Sequence, residues 1–579
     1  MTPIRTHRAL QTIDLDGQRV RLAGWVLRRR DHGGVTFIDL RDASGVVQVV
    51  ADPEQLPIVS DLRMESCIAV EGLVRPRPEG SVNDELATGA LEVAAHSIEV
   101  LGPADPIPFM IDDRVDVDER TRLEYRYLDL RRPRMAANLR ARSKAVTAIR
   151  RTLDEMDFLE IETPTLIPST PEGARDMLVP SRLHPGSFYA LPQSPQLFKQ
   201  LLMISGVERY FQIARCYRDE DFRADRQLEF TQLDLEGSFW EETGVQDAIE
   251  ATIAAAVKEV RGVDLPLPFR RLTWQESMDR YGVDKPDIRF DMEINDLTDL
   301  FSGSGFRGFA GAIAEGGVVR AINTGSRELP RSAADALVEA AKRLGAKGLV
   351  WMVVEDDGSL RSPVAKFLSS DELAGINQRL QARSGDVLLL IADQWRVAVT
   401  VLGSLRIQLG RPPGHGDLAF LWVTDFPMFE EGDGGLTFLH HPFTAPQDVD
   451  MMATHPLAAL SRAYDVVVNG VELGSGSIRI HDPDVQSKVF EILGVSADDQ
   501  EMRFGWFLRA LRYGTPPHGG FAFGIDRLMM VLQDEVNIRE VIPFPKTQSG
   551  IDPLTGTPTE VAPAQLKELG LKRDVRVET

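Results

Sequence analysis

Two cysteines in 579 residues, Cys67 and Cys216, are too few for a disulfide framework or a four-thiolate zinc site. A reducing, cytoplasmic setting is therefore expected. No apolar run approaches the ~18 residues that cross a bilayer. The opening MTPIRTHRALQTIDLDG has no apolar core of a secretory leader, so no membrane partner is expected. Positive charge is short as well. Against 65 Lys+Arg stand 87 Asp+Glu, a net charge of −22, which excludes a bulk-electrostatic nucleic-acid coat. Any nucleic acid must bind local basic faces on an acidic body. The phosphate-cradling G-x-x-x-x-G-K-[ST] pattern is missing, which disfavours a P-loop ATPase. Neither an internal repeat nor a Ser/His/Asp arrangement is evident.

What is present is ordinary globular text, 43% hydrophobic and 26% charged, with a length that suggests about four domains. Residues 1–104 carry five short, partly alternating β-branched runs: RVRLAGWVL, VTFIDLRD, GVVQVVAD, CIAVEGLVRPR and ALEVAAHSIEVL. Five strands in about a hundred residues predict a Greek-key barrel of the OB type. Residues 105–135 hold the Pro-rich linker GPADPIPFMIDD. The amphipathic helix text RPRMAANLRARSKAVTAIRRTLDEMDF (132–158) leads into residues 136–290, which turn to mixed helix and strand. Residues 291–418 are Gly/Ala-rich and poor in clustered catalytic residue types, whereas 419–579 return to dense His/Glu/Arg/Gly text before a Pro/Thr-rich tail. A bland segment between two dense ones predicts an α/β domain inserted into a catalytic domain. The fold class is α+β multidomain.

Four clusters carry chemistry. Arg28, Arg29 and Arg30 lie beside the VTFIDLRD run and its Phe37. They either stack bases and hold their phosphates on a barrel face, or form a solvated edge over a core Phe37. In FQIARCYRDEDFRADRQLEFTQLDLE two strand-like runs flank a loop crowded with Arg218, Asp219, Glu220, Arg223, Asp225 and Arg226. This is either a salt-bridged hairpin or an arginine-based phosphate clamp, since a guanidinium forks onto phosphate oxygens. Asp465 and Glu472 are carboxylates suited to Mg²⁺ shared with phosphate oxygens. Beyond them, Gly474, Ser475 and Gly476 let a ligand approach the backbone. In GGFAFGIDRLMMVL a strand runs into an apolar helix with Arg527 at its start, where anions are favoured. Finally, Lys199 in PQLFKQLLM either snorkels or neutralises an anion, and His440–His441 has no Cys/His partners at zinc-ligand spacing, so no zinc is expected.

Together these stretches resemble the bacterial-type aspartyl-tRNA synthetases of class II over nearly the whole chain. WVLRRRDHGGVTFIDLRD resembles the anticodon-binding barrel and YRYLDLRR the hinge. FLEIETPTL with Pro164 resembles motif 1, RCYRDEDFRADRQLEFTQLD motif 2 and GGFAFGIDRL motif 3. STPEGARD, SPQLFKQ, HHPFT and GSGSIRIH resemble the aspartate-specific elements. Two departures, Leu228 for a usual Pro and Ser475 within a usual Gly-Gly-Gly, remove no charged group.

The resemblance implies an antiparallel catalytic sheet with ATP bound bent between motifs 2 and 3. It makes Arg218 and Arg527 the catalytic residues, the first bridging the α-phosphate and the aspartate carboxylate, the second on the γ-phosphate. The ATP site would comprise these with Asp219, Glu220, Gln227, Phe230 (stacked on adenine), Glu472, Gly524, Ile525 and Asp526; Asp465 and Glu472 would carry Mg²⁺. The substrate's ammonium would meet Glu172, Gln196 and Asp234, and its side-chain carboxylate Lys199 and Arg479, under a loop bearing His440 and His441. The reaction implied is ATP-dependent formation of aspartyl-adenylate and transfer to the 3′ end of tRNA(Asp), by a homodimer built on motif 1. For the anticodon the resemblance implies Arg30, Phe37, Gln48 and Glu92. His32, in the turn after the arginines, extends the expectation to a relaxed enzyme that also charges tRNA(Asn). A strictly tRNA(Asp)-specific enzyme is the alternative. An asparaginyl enzyme would not need both Lys199 and Arg479, and a non-catalytic RNA-binding paralogue would not keep Arg218, Glu472 and Arg527.

Overall fold

Alternation of apolar and polar residues places the strands. A computed structural model describes residues 3–169, 173–432 and 434–572, and the chain divides after Ala136 into two compact units. In the first, β1 (Arg19–His32), β2 (Val35–Arg41), β3 (Val46–Ala51), β4 (Cys67–Pro76) and β5 (Leu91–Gly102) form a closed barrel in the order β1-β2-β3-β5-β4. Val20, Leu22, Val26, Ile38, Leu40, Val49, Val70 and Val93 fill it. Closure brings β1 so near β2 that a Cβ at Gly24 would lie 2.4 Å from the Arg41 carbonyl oxygen; only glycine fits there.

β1 is longer than its apolar run suggests. A bulge after Val26 resets the alternation, and pairing with β2 continues through Arg30↔Phe37 to His32↔Val35. Arg28–Arg30 therefore belong to the strand rather than flanking it. Arg29 helps hold this extension by donating to the carbonyls of Val59 (3.1 Å), Ser60 (2.5 Å) and Leu62 (3.3 Å). His32 is the last strand residue, and the turn itself is Gly33–Gly34, both at positive φ (61° and 84°).

The second unit is built on an eight-stranded sheet. Its order is Arg270–Thr273, Phe420–Thr424, Ala463–Val468, Val471–Ile478, His518–Gly524, Glu229–Ser238, Arg209–Tyr217 and Leu159–Glu160. The two outermost pairs are parallel and the others antiparallel. One face packs Leu233, Leu235, Trp422, Tyr464, Val466, Phe521 and Phe523 against the helices Pro133–Glu155, Glu242–Arg261 and Ile525–Leu532. The FLEIET run forms only the two-residue strand Leu159–Glu160, both residues exposed, because a sheet edge offers it a partner on one side alone.

Between the Arg270–Thr273 and Phe420–Thr424 strands the chain forms a separate antiparallel sheet. Its order is Asn295–Asp296, Val318–Ser326, Asp386–Asp393, Val350–Val354 and Leu360–Arg361. The run DVLLLIAD is continuously apolar because both its faces are covered. Val387, Leu389 and Ile391 pack towards the helices Arg331–Arg343 and Trp395–Gly410, while Leu388 and Leu390 pack towards Phe301 and Phe309.

Trp422 anchors the main core, fully buried, with its indole N–H donating to the buried Glu250 (2.8 Å). Trp422→Ala should cost about 3–5 kcal/mol and remove one of that carboxylate's donors, leaving the Phe269 N–H (3.1 Å). Scanning calorimetry should find a melting temperature several degrees lower, and an unchanged one would show that this packing contributes little.

Candidate functional site

The strand Glu229–Ser238 reads EFTQLDLEGS, and its period-two alternation splits it cleanly. Leu233 and Leu235 enter the core, while Phe230, Gln232 and Asp234 line a cavity of about 880 Å³. Ligand sites commonly measure 300–1,000 Å³. Further along the same sheet, beyond the strand His518–Gly524, the strand Val471–Ile478 adds Glu472, Gly474, Ser475, Gly476 and Ser477 to the lining, followed by Arg479. The helix Gln196–Ile204 supplies Gln196 and Lys199, the strand-to-helix junction supplies Gly524, Asp526 and Arg527, and a loop supplies His440 and His441.

At the floor four buried charges meet. Lys199 Nζ lies 2.7 Å from Asp234 Oδ1 and 3.1 Å from Glu236 Oε2, and donates to the Leu235 carbonyl (3.2 Å). Two of its three N–H groups are thus hydrogen-bonded within the protein, and Glu236 adds an ion pair. Arg479 donates Nε to Glu236 Oε1 (2.9 Å), Nη2 to Oε2 (3.2 Å) and Nη1 to Ser477 Oγ (2.7 Å). Of five guanidinium N–H groups these bonds use three, leaving one on each terminal nitrogen. Asp234 Oδ2 is buried without a donor, since neighbouring Tyr210 gives its one proton to Gln212 (2.9 Å). Gln196 Nε2 is likewise buried without an acceptor. Burial pushes the Asp234 carboxyl up, against the pull of Lys199. Glu172 lies outside the described residues.

Towards the other end, Arg218 donates to the Gln193 carbonyl (3.3 Å) and its guanidinium lies 5.2 Å from the centre of the Phe230 ring. Arg527 donates to the Glu472 carbonyl (2.7 Å) and pairs with Asp225 (3.3 Å), with its Nε buried and unpartnered. Asp526 is fixed by the Thr231 N–H (2.7 Å) and by Arg142. Glu220 lines the cavity, paired with Arg226 (2.7 Å). Three further expected nucleotide contacts are placed as follows. The Ile525 side chain is in the core, because the first residue of an amphipathic helix at a sheet end faces inward. Asp219 is not among the lining residues and pairs with Arg175 (3.4 Å). Gln227 lines the cavity, but both ends of its amide bond the Lys546 backbone (3.1 and 2.9 Å).

Asp465 lies behind the lining, 3.4 Å from His440 Nε2. Burial and the Asp465 charge both push the Glu472 carboxyl up, with Lys285 at 3.7 Å opposing. The two histidines diverge. Burial opposes charge on His440, yet Asp465 and Glu472 raise it overall; burial with Arg479 and Lys199 lowers His441 to about 3. Among the described residues no group of three or more His, Cys, Asp or Glu is placed to hold a metal ion.

On the barrel, Arg30, Phe37, Gln48 and Glu92 lie on the adjoining strands β1, β2, β3 and β5. Arg30 pairs with Asp39 (3.1 Å), and Gln48 donates to Glu92 (3.1 Å), which Arg75 also holds (2.9 Å). Phe37 is half-buried, so it belongs neither wholly to the core nor to solvent, and His32 is exposed at the end of β1.

Sequence reasoning missed Glu236 and Lys285. Glu236 was within reach of it: two residues after Asp234, it shares the same strand face. The text around Lys285 carries no comparable signal.

Residues 118–548 match the family described as tRNA synthetases class II (D, K and N), and residues 20–101 match the OB-fold nucleic acid binding domain. A Moorella thermoacetica protein named aspartate–tRNA(Asp/Asn) ligase is 53% identical over 574 residues, covering 97% of this chain and 96% of its own. One from Geobacillus kaustophilus, named aspartate–tRNA ligase, is 51% identical over 568 residues, covering 96% of each. The crystal structure of asparaginyl-tRNA synthetase from Pyrococcus horikoshii with asparaginyl-adenylate matches with a TM-score of 0.59 at 19% identity, covering 93% of this chain and 97% of that one; the likeness is one of fold. With most of its length matched to one family and relatives half identical from end to end, this chain belongs to the class II tRNA synthetases of the D, K and N group.

Proposed function

We propose that this synthetase is an aspartate–tRNA ligase. The α-carboxylate of L-aspartate attacks the α-phosphorus of ATP and pyrophosphate leaves; the terminal ribose hydroxyl of the tRNA then attacks the acyl carbon and AMP leaves. The observation that carries the reading is the pairing, in one cavity, of a donor-less Asp234 Oδ2 with the two unspent N–H groups of Arg479. An ammonium suits the first and a carboxylate the second, and Gln196 adds its free amide N–H. Lys199, paired with the same Glu236 as Arg479, is the second cation for the substrate carboxylate. Arg218 takes the α-carboxylate and α-phosphate, Phe230 the adenine and Arg527 the γ-phosphate, while His440 and His441 cover the substrate. Both steps join or transfer anionic groups, so orientation and charge neutralisation suffice without a protein nucleophile.

Asp465 and Glu472 would hold a Mg²⁺ ion shared with phosphate oxygens, since a cation beside them would offset the burial and the mutual repulsion that raise Glu472. When bound, the ion would neutralise charge on those oxygens. The names of the relatives, most of them covering tRNA(Asp) and tRNA(Asn), support the relaxed reading, with the anticodon G-U-C read by Phe37, Arg30, Gln48 and Glu92. Such an enzyme works in the cytoplasm; among the described residues no helix is long and apolar enough to cross a membrane. Exposed Leu159, Leu166, Leu178 and Phe188, around the motif 1 edge, support an isologous homodimer.

Purified protein given ATP, Mg²⁺ and aspartate should charge tRNA(Asp) and tRNA(Asn) alike. Failure on tRNA(Asp) would end the assignment, and tRNA(Asn) charging below about a hundredth of the tRNA(Asp) efficiency would end the relaxed reading. His32→Leu should depress tRNA(Asn) selectively; an unchanged ratio would free His32 of that role. Light scattering should give about 129 kDa, twice the 64.3 kDa chain, and a monomer in an active micromolar preparation would contradict the dimer.

A further inference from the structure

Glu236 has no part in the steps above, yet it is completely buried and bonded to both cations of the pocket floor. Resting on the aspartate reading, we propose that Glu236 is a positioning residue that aims Arg479 at the substrate's side-chain carboxylate. Its two oxygens take Nε and Nη2 of Arg479 along one edge of the guanidinium, while Ser477, itself accepting from Thr444 (3.2 Å), takes one proton of Nη1. The remaining N–H groups, one on each terminal nitrogen, project together along the free end. That is the fork geometry that receives a carboxylate bidentately.

The fold makes room for this carboxylate. Glu236 pairs directly with Gly520 across the sheet, and a Cβ at Gly520 would lie 1.8 Å from Glu236 Oε2. Any other residue there would expel the side chain from its slot. The charge is equally constrained. Without Glu236, the buried cations Lys199 and Arg479 would be left, among the described residues, with Asp234 as their counter-ion. Burial pushes the Glu236 carboxyl up, but Arg479 and Lys199 outweigh it and hold the group at about 2, so it stays ionised near neutral pH.

The test is pyrophosphate exchange by full-length wild type and Glu236→Gln, with aspartate and ATP varied separately. Glu236→Gln keeps the shape and removes the charge, so KM for aspartate should rise at least about tenfold while KM for ATP stays within about twofold. A merely structural role would lower the melting temperature or the active fraction and leave the aspartate KM of the active fraction unchanged. A folded variant whose aspartate KM moves less than threefold would overturn the proposal. Should Glu236→Gln not fold, Glu236→Asp, which retains the charge but withdraws it by one methylene, is read by the same split: a rise of about fivefold or more supports the proposal and less than twofold overturns it. Wild type lacking aspartate-dependent exchange would overturn the aspartate reading and this inference together, whereas an active wild type beside an unshifted variant overturns only the inference.

Discussion

Four ionised side chains share the floor of the cavity, none more than 5% exposed: Lys199, Asp234, Glu236 and Arg479. Two positive and two negative charges cancel, and that balance allows them to be buried together. Removing one partner of a buried pair costs about 3–5 kcal/mol, so each constrains the others. Much of the nearby fold serves the balance. Alternation along one strand delivers Asp234 and Glu236 to the same face, a neighbouring helix delivers Lys199, the end of another strand delivers Arg479, and the side chain missing at Gly520 leaves the space.

A neutral floor with unequal bonding is a selective one. Asp234 keeps an acceptor without a donor and Arg479 keeps two donors without an acceptor, so a substrate with an ammonium and a carboxylate at matching distance completes both. The far end works differently. Arg218 and Arg527 are only partly buried and reach the cavity from a loop and a helix start, as befits groups that meet phosphates arriving from solvent. On a chain carrying −22 overall, such local cations matter more than the net field.

The barrel was legible because its inward residues alternate, and resemblance to the family's motifs made Lys199, Asp234 and Arg479 legible. What escaped were features set by distant or subtle partners. The extension of β1 depends on carbonyls thirty residues away that accept from Arg29. The amide of Gln227 is taken by the Lys546 backbone, 319 positions on, and no local pattern records that. Ile525 lies between two cavity residues, but the change from strand to helix turns its side chain into the core. FLEIET has strand composition and forms two strand residues, because composition does not say how many neighbours an edge will have. Glu236 was legible in principle, two places from Asp234, and was missed because its role lies in holding other residues.

The complementarity of this floor to an ammonium and a carboxylate together is open to direct measurement. Calorimetric titration of the intact protein with L-aspartate and L-asparagine, both with a non-hydrolysable ATP analogue and Mg²⁺ present, reads it without catalysis. Aspartate should bind at least about a hundredfold more tightly, because an amide supplies no charge to the free end of Arg479. Asparagine binding as tightly as aspartate would contradict the charge-matched pocket at its root.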